Sequence, residues 1–259
     1  MYSRREMLAA AAASAAVASR PAHAAANMVL PTDQTLLAPA RRKAAMLSIG
    51  VSRFGDAPVL DNALEDSALI AQSFSALGFD TYILNDPSHD DLLLALARFR
   101  TLIADSEIAV IYVAGHGAYV GDTVHVFPTD TDIRGSQIHN SIPENVFVHT
   151  MSDLPRHKIL LLDCCRSQFS QNSYKTSADP AEFGGLFKFY ATQRGAEAFD
   201  GTPDGGPFAS SLARHLRSPG LSLDEIALRT RLDVLRETGG AQIPWNSSSL
   251  LTRLVLNQA

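Results

Sequence analysis

The sequence predicts an α/β protein, a three-layer α-β-α sandwich around a mostly parallel central sheet. Almost wholly apolar runs, such as residues 108–114, are typical of strands that are covered on both faces. Between these runs, apolar residues recur at helical spacing, as in residues 63–77. Strands that alternate with helices in this way are usually parallel, because each crossover helix returns the chain to the same end of the sheet.

The predicted elements follow one another from residue 44 onward. Strands are predicted at residues 44–50, 81–84, 108–114, 158–163, 185–191 and 250–256. Helices are predicted at residues 63–77, 90–103, 146–154, 207–216 and 223–237. The first helix is expected to stop at Gly78, because glycine adopts the left-handed conformation of a helix end without strain. A polar, hairpin-like stretch at residues 123–127 interrupts the alternation.

The chain is predicted to have three segments. Residues 1–24 resemble a twin-arginine export signal, because Arg4 and Arg5 precede a short alanine-rich stretch that ends in small residues suited to cleavage. Residues 25–40 are small and polar, which indicates a flexible tether. Residues 41–259 are expected to form the folded domain. We therefore expect an exported protein, periplasmic or secreted, with no membrane contact once the signal is removed.

Composition argues against several kinds of partner and cross-link. The formal net charge is -5, with 22 Lys and Arg against 27 Asp and Glu. Nucleic acid and anionic membranes usually require a basic surface, so neither is an expected partner. The two cysteines, Cys164 and Cys165, are adjacent, and neighbouring strand residues point to opposite faces. A disulfide between them is therefore disfavoured, and two free thiols are expected.

Chemically active side chains follow two of the apolar strands. His116 lies between two glycines directly after residues 108–114, and Cys165 follows the strand at residues 158–163. Because open parallel sheets bind ligands at the carboxyl ends of their strands, both side chains are expected at that edge. A cysteine nucleophile needs a base that later protonates the leaving amine, and histidine titrates in the useful range.

The chain resembles the caspase-like cysteine peptidases over residues 43–256, and most of all their bacterial metacaspase-type branch. Two motifs carry the resemblance, Gly115-His116-Gly117 and Asp163-Cys164-Cys165-Arg166. Their separation fits the roughly 50 residues between the histidine and the cysteine of caspases. The stretches at residues 191–198 and 242–245 follow in the order that the family shows.

The resemblance implies a role for each motif residue. Cys165 would be the nucleophile and His116 the general base and acid. The amides of Gly117 and Cys165 would bind the oxyanion, while Cys164 would pack on the opposite side of the strand. The domain would divide into a large-subunit-like part at residues 41–166, a loop at 167–182 and a small-subunit-like part at 183–259.

The resemblance also implies protein or peptide substrates and no cofactor. Some relatives depend on Ca²⁺, but no EF-hand-like motif supports such a site here, and the oligomeric state is left open. The Ser- and Asn-rich stretch at residues 167–179 is a candidate for self-cleavage. Its only basic residue, Lys175, is the expected cleavage position.

The residue before the cleaved bond is expected to be Arg or Lys. Metacaspase-like enzymes line this pocket with two acids, and the matching positions here are Asp66 and Asp163. Two carboxylates attract a cationic side chain and repel an acidic one. The rival residue is Arg53, which could receive a substrate aspartate and give an Asp-specific, caspase-like peptidase. A catalytically silent binding module of the same fold is the other alternative.

Overall fold

The computed structural model describes residues 28–29, 43–55, 57–134, 137–152, 155–168, 184–201 and 205–258. The predicted export signal at residues 1–24 and the predicted cleavage position, Lys175, lie outside these residues, as does most of the predicted tether. Within the tether, Met28–Val29 forms a short strand.

Strands and helices alternate along the described residues. The strands are β1 (Met28–Val29), β2 (Ala44–Gly50), β3 (Asp80–Asn85), β4 (Ile108–Ala114), β5 (Gly117–Val120), β6 (Thr123–Val126), β7 (Asp132–Arg134), β8 (Gln137–His139), β9 (Ile142–Pro143), β10 (His157–Asp163), β11 (Leu186–Tyr190) and β12 (Trp245–Ser248). The helices are α1 (Ala63–Ala76), α2 (His89–Leu102), α3 (Glu144–Thr150), α4 (Pro207–Leu216) and α5 (Leu223–Glu237).

The central sheet has the strand order β1-β3-β2-β4-β10-β11-β12. Its five inner strands are parallel to their neighbours, and only the two edge strands, β1 and β12, run antiparallel. The mostly parallel sheet predicted from the sequence is therefore confirmed. The polar stretch after β4 forms two small sheets, β5-β6-β9 and β7-β8.

Helices cover both faces of the central sheet, which gives the predicted three layers. One apolar cluster joins the sheet to α1, α4 and α5, and the other joins it to α2 and α3. The two central strands, β2 and β4, are buried along their whole length because both of their faces meet helices. The predicted end of the first helix is confirmed, since α1 stops at Ala76 and Gly78 has a φ of +84°.

The predicted strand at residues 250–256 is wrong, because the last strand is β12. Leu254 and Leu256 are buried, but they pack in the cluster of α4 and α5 rather than in a sheet. The Leu254 carbonyl accepts the N–H of Leu223 at 2.8 Å, so this segment covers the start of α5. Its alternating apolar pattern comes from packing against helices.

Among the described residues, no helix is long and apolar enough to cross a membrane.

Candidate active site

The sheet register brings the two chemically active strand ends together. β4 and β10 pair in parallel, and the last pair of this ladder is Ala114 with Asp163. The segments that follow, with His116 and Cys165, therefore leave the sheet at the same edge. Both residues line a cavity of about 90 Å³, together with the two predicted pocket acids, Asp66 and Asp163.

The imidazole of His116 is oriented by a backbone carbonyl. Its Nε2 lies 2.9 Å from the Pro58 oxygen, and Phe54 packs edge-on against the ring with centroids 4.9 Å apart. A carbonyl only accepts hydrogen bonds, so Nε2 carries the proton and Nδ1 keeps its lone pair. Burial lowers the pKa of His116 below its usual 6.5, against opposing effects of the Pro58 bond and the Asp200 charge. The ring is therefore neutral at pH 7.

The thiol of Cys165 contacts the backbone of one residue on a neighbouring loop. Its Sγ accepts the Ala198 N–H at 3.4 Å and lies 3.6 Å from the Ala198 carbonyl, to which the thiol donates. Burial raises the pKa of Cys165 above its usual 9.0, while the hydrogen bond with Ala198 lowers it and the Glu197 charge raises it further. The thiol and the imidazole that line the cavity are thus both neutral in the resting state.

The N–H of Gly117 is directed toward the loop that carries Cys165. Phe127 N–H donates to the His116 carbonyl at 3.1 Å, so Gly117, one residue further along the antiparallel ladder, turns its N–H away from β6. Tyr119 lies two residues on and has the same orientation, and its N–H donates to the Ser167 carbonyl at 2.9 Å. The Gly117 amide therefore faces the same side as the chain that follows the thiol.

No side chain fits at position 117. A Cβ on Gly117 would lie 2.8 Å from the His125 carbonyl oxygen and 2.9 Å from the Cys164 Sγ. Real Cβ atoms do not approach so closely, so glycine is required for the hairpin to pack against β10. Cys164 is buried and fills the space behind this glycine, which agrees with the packing position expected for it. Neither cysteine forms a disulfide.

Of the two predicted pocket acids, Asp66 is buried and Asp163 is half-buried, and both are hydrogen-bonded. Asp66, in the first turn of α1, accepts the Gly206 N–H at 3.0 Å. Asp163, at the end of β10, accepts the Tyr112 hydroxyl at 2.8 Å. Burial raises the pKa of Asp66 to about 6, partly offset by the Gly206 bond and reinforced by the Asp200 charge. Burial, together with the charge of Asp66, raises the pKa of Asp163 well above its usual value.

A third acid, Asp200, lines the same cavity and was missed in the sequence. Its carboxylate accepts the Asp61 N–H at 2.7 Å, and its carbonyl accepts the Asn62 side-chain amide at 2.7 Å. Its charge favours the protonated forms of His116, Asp66 and Asp163, which line the same cavity. The sequence feature that could have pointed to Asp200 is its position after β11, the third strand that ends at this edge of the sheet.

The cavity acids have no cationic partner among the residues that the structure describes. Within the described part of the chain, no Lys, Arg or His nitrogen lies within 4 Å of the carboxylates of Asp66, Asp163 or Asp200. The rival residue, Arg53, does not line the cavity and instead lies 3.9 Å from Asp86. Over the same described residues, no group of three or more His, Cys, Asp and Glu side chains is placed to hold a metal ion.

Comparisons with known proteins agree with this fold. The family model of the caspase domain matches residues 42–256. The fold is similar to the crystal structure of caspase-1 from Spodoptera frugiperda, with a TM-score of 0.66, 14% identity, and coverage of 84% of this chain and 90% of that chain. A search of curated proteins finds no match. The chain therefore belongs to the caspase-domain family of cysteine peptidases.

Proposed function

We propose that the protein hydrolyses peptide bonds after Arg or Lys, with Cys165 as the nucleophile and His116 as the general base. The observation that carries this proposal is the composition of one cavity. A thiol, a neutral imidazole and three buried or half-buried carboxylates line it, and no described cation pairs with those carboxylates. The membership of the chain in a family of cysteine peptidases supports the same reaction class.

The proposed reaction starts from the neutral pair. Nδ1 of His116 takes the thiol proton while the Cys165 sulfur attacks the scissile carbonyl carbon. The carbonyl of Pro58, which accepts from Nε2, then stabilises the imidazolium. The N–H groups of Gly117 and Cys165 donate hydrogen bonds to the developing oxyanion. Nδ1–H next donates its proton to the leaving amine, and water hydrolyses the resulting thioester with His116 again as base.

Substituting Gly117 by alanine is expected to reduce kcat about 10²-fold, with a smaller change in KM. The new Cβ collides with the His125 carbonyl and the Cys164 sulfur, so the hairpin must shift and its amide leaves the oxyanion position. Steady-state kinetics on an Arg peptide measure the effect. Gly184→Ala is the matched control, because its Cβ would meet no atom nearer than 4.0 Å. A kcat retained in Gly117→Ala would exclude this amide from the oxyanion site.

The carboxylates give the proposed site its preference for a cationic side chain. A guanidinium or ammonium that enters the cavity replaces lost hydration with charge-assisted hydrogen bonds to Asp66, Asp163 and Asp200. Because their pKa values are raised, Asp66 and Asp163 hold protons more tightly than free carboxylic acids do. A bound cation favours the ionised carboxylates, so its binding releases these protons. For Arg peptides, kcat/KM is therefore expected to fall as the pH drops through about 6, the pKa of Asp66.

A panel of fluorogenic peptides that differ only in the residue before the cut tests the proposed function. Arg and Lys peptides are expected to be hydrolysed at least about 10²-fold faster than the Asp peptide, since repulsion by the acids costs several kcal/mol. Arg53→Gln, the control, is expected to leave this ranking unchanged because Arg53 lies outside the cavity. A preference for Asp would favour the rival pocket, and absence of turnover would favour the silent binding module.

We also propose that the enzyme acts outside the cytoplasm, after export and removal of residues 1–24. The paired arginines and the alanine-rich stretch that follows them support this location. Sequencing the amino terminus of the protein recovered from the periplasm or the medium tests it. A start close to residue 25 is expected, whereas an intact amino terminus confined to the cytoplasm would contradict export.

A further inference from the structure

One short segment supplies two separate groups to the candidate site. Residues 198–200 bring the Ala198 backbone to the Cys165 sulfur and the Asp200 carboxylate to the cavity. The side chain between them, Phe199, is 47% exposed and contributes little packing that could hold the segment in place. The position of both groups therefore depends on the hydrogen bonds that this segment makes.

Gln242 makes the backbone contact in the middle of that segment. Its Oε1 accepts the Phe199 N–H at 3.0 Å, and its Nε2 donates to the Ala191 carbonyl at 2.9 Å. The side-chain amide thus ties together the two ends of the loop that runs from β11 to the cavity. Gln242 is fully buried, and both the oxygen and the nitrogen of its side-chain amide are hydrogen-bonded. It belongs to the Gln-Ile-Pro-Trp stretch at residues 242–245, which has no role in the proposed mechanism.

Glutamine is suited to this position because it combines a donor and an acceptor at one end of a side chain. An apolar side chain of the same length would leave the Phe199 N–H and the Ala191 carbonyl without these partners. The glutamine is itself anchored to a rigid element: its N–H donates to the Thr238 hydroxyl at 3.0 Å, and Thr238 donates to Val234 in α5 at 2.8 Å. The end of α5 is thereby linked to residues 198–200.

We infer that Gln242 is a positioning residue, whose side-chain amide fixes residues 198–200 so that Ala198 meets the thiol and Asp200 faces the cavity. The hydrogen bonds of Gln242 are present whether or not the protein is active, but their effect on substrate binding rests on the proposed function. Without Gln242, the Ala198 N–H no longer faces the sulfur, and the thiolate loses a hydrogen bond. The Asp200 carboxylate keeps its hydrogen bonds to the Asp61 and Asn62 N–H groups, but the backbone before it is no longer fixed, so its position in the cavity is less well defined.

Alkylation of Cys165 by iodoacetamide tests the inference without any peptide substrate. The thiolate displaces iodide to form a thioether, so the pH midpoint of the rate reports the thiolate population. In Gln242→Met the midpoint is expected to rise by about one pH unit, the effect of losing one hydrogen bond to a charged group. Tandem mass spectrometry separates modification of Cys165 from that of Cys164.

Gln193→Met is the matched control. Gln193 lies in the same loop, and its Oε1 accepts the Ile243 N–H at 2.9 Å, yet none of its hydrogen bonds reaches residues 198–200. Its alkylation midpoint is expected to stay within about 0.2 units of the wild-type value. Steady-state kinetics of the same two variants give a second test. Gln242→Met is expected to raise KM for the Arg peptide about 10-fold with a smaller change in kcat, whereas Gln193→Met is expected to leave KM unchanged.

Thermal unfolding shows whether each variant is folded. A folded Gln242→Met that keeps the wild-type midpoint overturns the inference, as does an equal shift in Gln193→Met. If Gln242→Met does not fold, Gln242→Asn carries the same test, because its shorter amide cannot reach both partners. A wild-type enzyme that cleaves no peptide, but whose midpoint still shifts in Gln242→Met, would refute the proposed function and leave the positioning role intact.

Discussion

Replacing Cys165 by alanine is expected to lower kcat/KM for an Arg peptide at least about 10⁴-fold, to the background of the assay. Alanine has no lone pair with which to attack the carbonyl carbon, so no acyl-enzyme forms. The cavity and its acids remain, and substrate still binds. The expected signature is therefore a loss of kcat with little change in peptide affinity, measured by fluorescence anisotropy of a labelled Arg peptide.

Cys164→Ala is the matched control, because it removes the neighbouring sulfur. Cys164 is buried, its sulfur packs against Gly117, and the proposed mechanism gives it no role, so turnover is expected to stay within about 3-fold of the wild type. The lost packing should cost about 1–2 kcal/mol in the free energy of unfolding. Hydrolysis that persists in Cys165→Ala, or that disappears in a folded Cys164→Ala, would assign the chemistry to another group.

Asp66→Asn is expected to weaken cleavage after Arg and, at the same time, to stabilise the protein at alkaline pH. The neutral amide keeps the shape of the side chain but removes one carboxylate from the cavity. A charge-assisted hydrogen bond contributes about 1.5–3 kcal/mol, so kcat/KM for the Arg peptide should fall about 10- to 10²-fold. For the Asp peptide, kcat/KM should rise rather than fall, because one repulsive charge has been removed from the cavity.

The expected gain in stability follows from the direction of the pKa shift. Folding raises the pKa of Asp66 from 3.8 to about 6, so the folded state binds its proton more tightly than the unfolded state. This contribution is present below pH 4 and is lost as the pH rises through about 6. Above that pH the buried carboxylate costs about 3 kcal/mol, and replacing it should recover about 1–3 kcal/mol once the weaker bond to Gly206 is counted.

Urea unfolding at pH 8 and pH 4 measures this effect. The difference between Asp66→Asn and the wild type is expected at pH 8 and should fall below about 1 kcal/mol at pH 4, where the carboxyl of the folded state is protonated. Glu65→Gln is the control, since Glu65 is the exposed neighbour on α1 and should change stability by less than about 0.5 kcal/mol. A destabilised Asp66→Asn at pH 8 would mean that the carboxylate is a structural anchor rather than a strained pocket group.

Much of the fold could be predicted because apolar runs and helical spacing report burial directly. The inner strands and the order of the helices follow from these patterns, and so does the convergence of His116 and Cys165 on one edge of the sheet. Residues 250–256 show where this reasoning fails. Alternation reports which side chains are buried but not which surface covers them, and Leu254 and Leu256 meet helices instead of a neighbouring strand.

The parts of the site that the sequence did not reveal depend on backbone groups and on loops. Pro58 contributes only a carbonyl to His116, so its residue type carries no signal of that contact. Asp200 and Gln242 lie in irregular segments without periodicity, where spacing does not predict direction. Asp66 could be predicted only through the resemblance to metacaspase-like enzymes, because its position matches one of their two pocket acids.

Labelling with a peptidyl acyloxymethyl ketone that carries Arg tests the central claim most directly, because one adduct reports both the nucleophile and the pocket. The thiolate displaces the carboxylate leaving group and forms a thioether. Intact mass and peptide mapping are expected to show one adduct, on Cys165, and the otherwise identical Asp reagent should react at least about 10²-fold more slowly. An adduct on Cys164, equal rates for the two reagents, or no adduct with either would contradict the proposed enzyme.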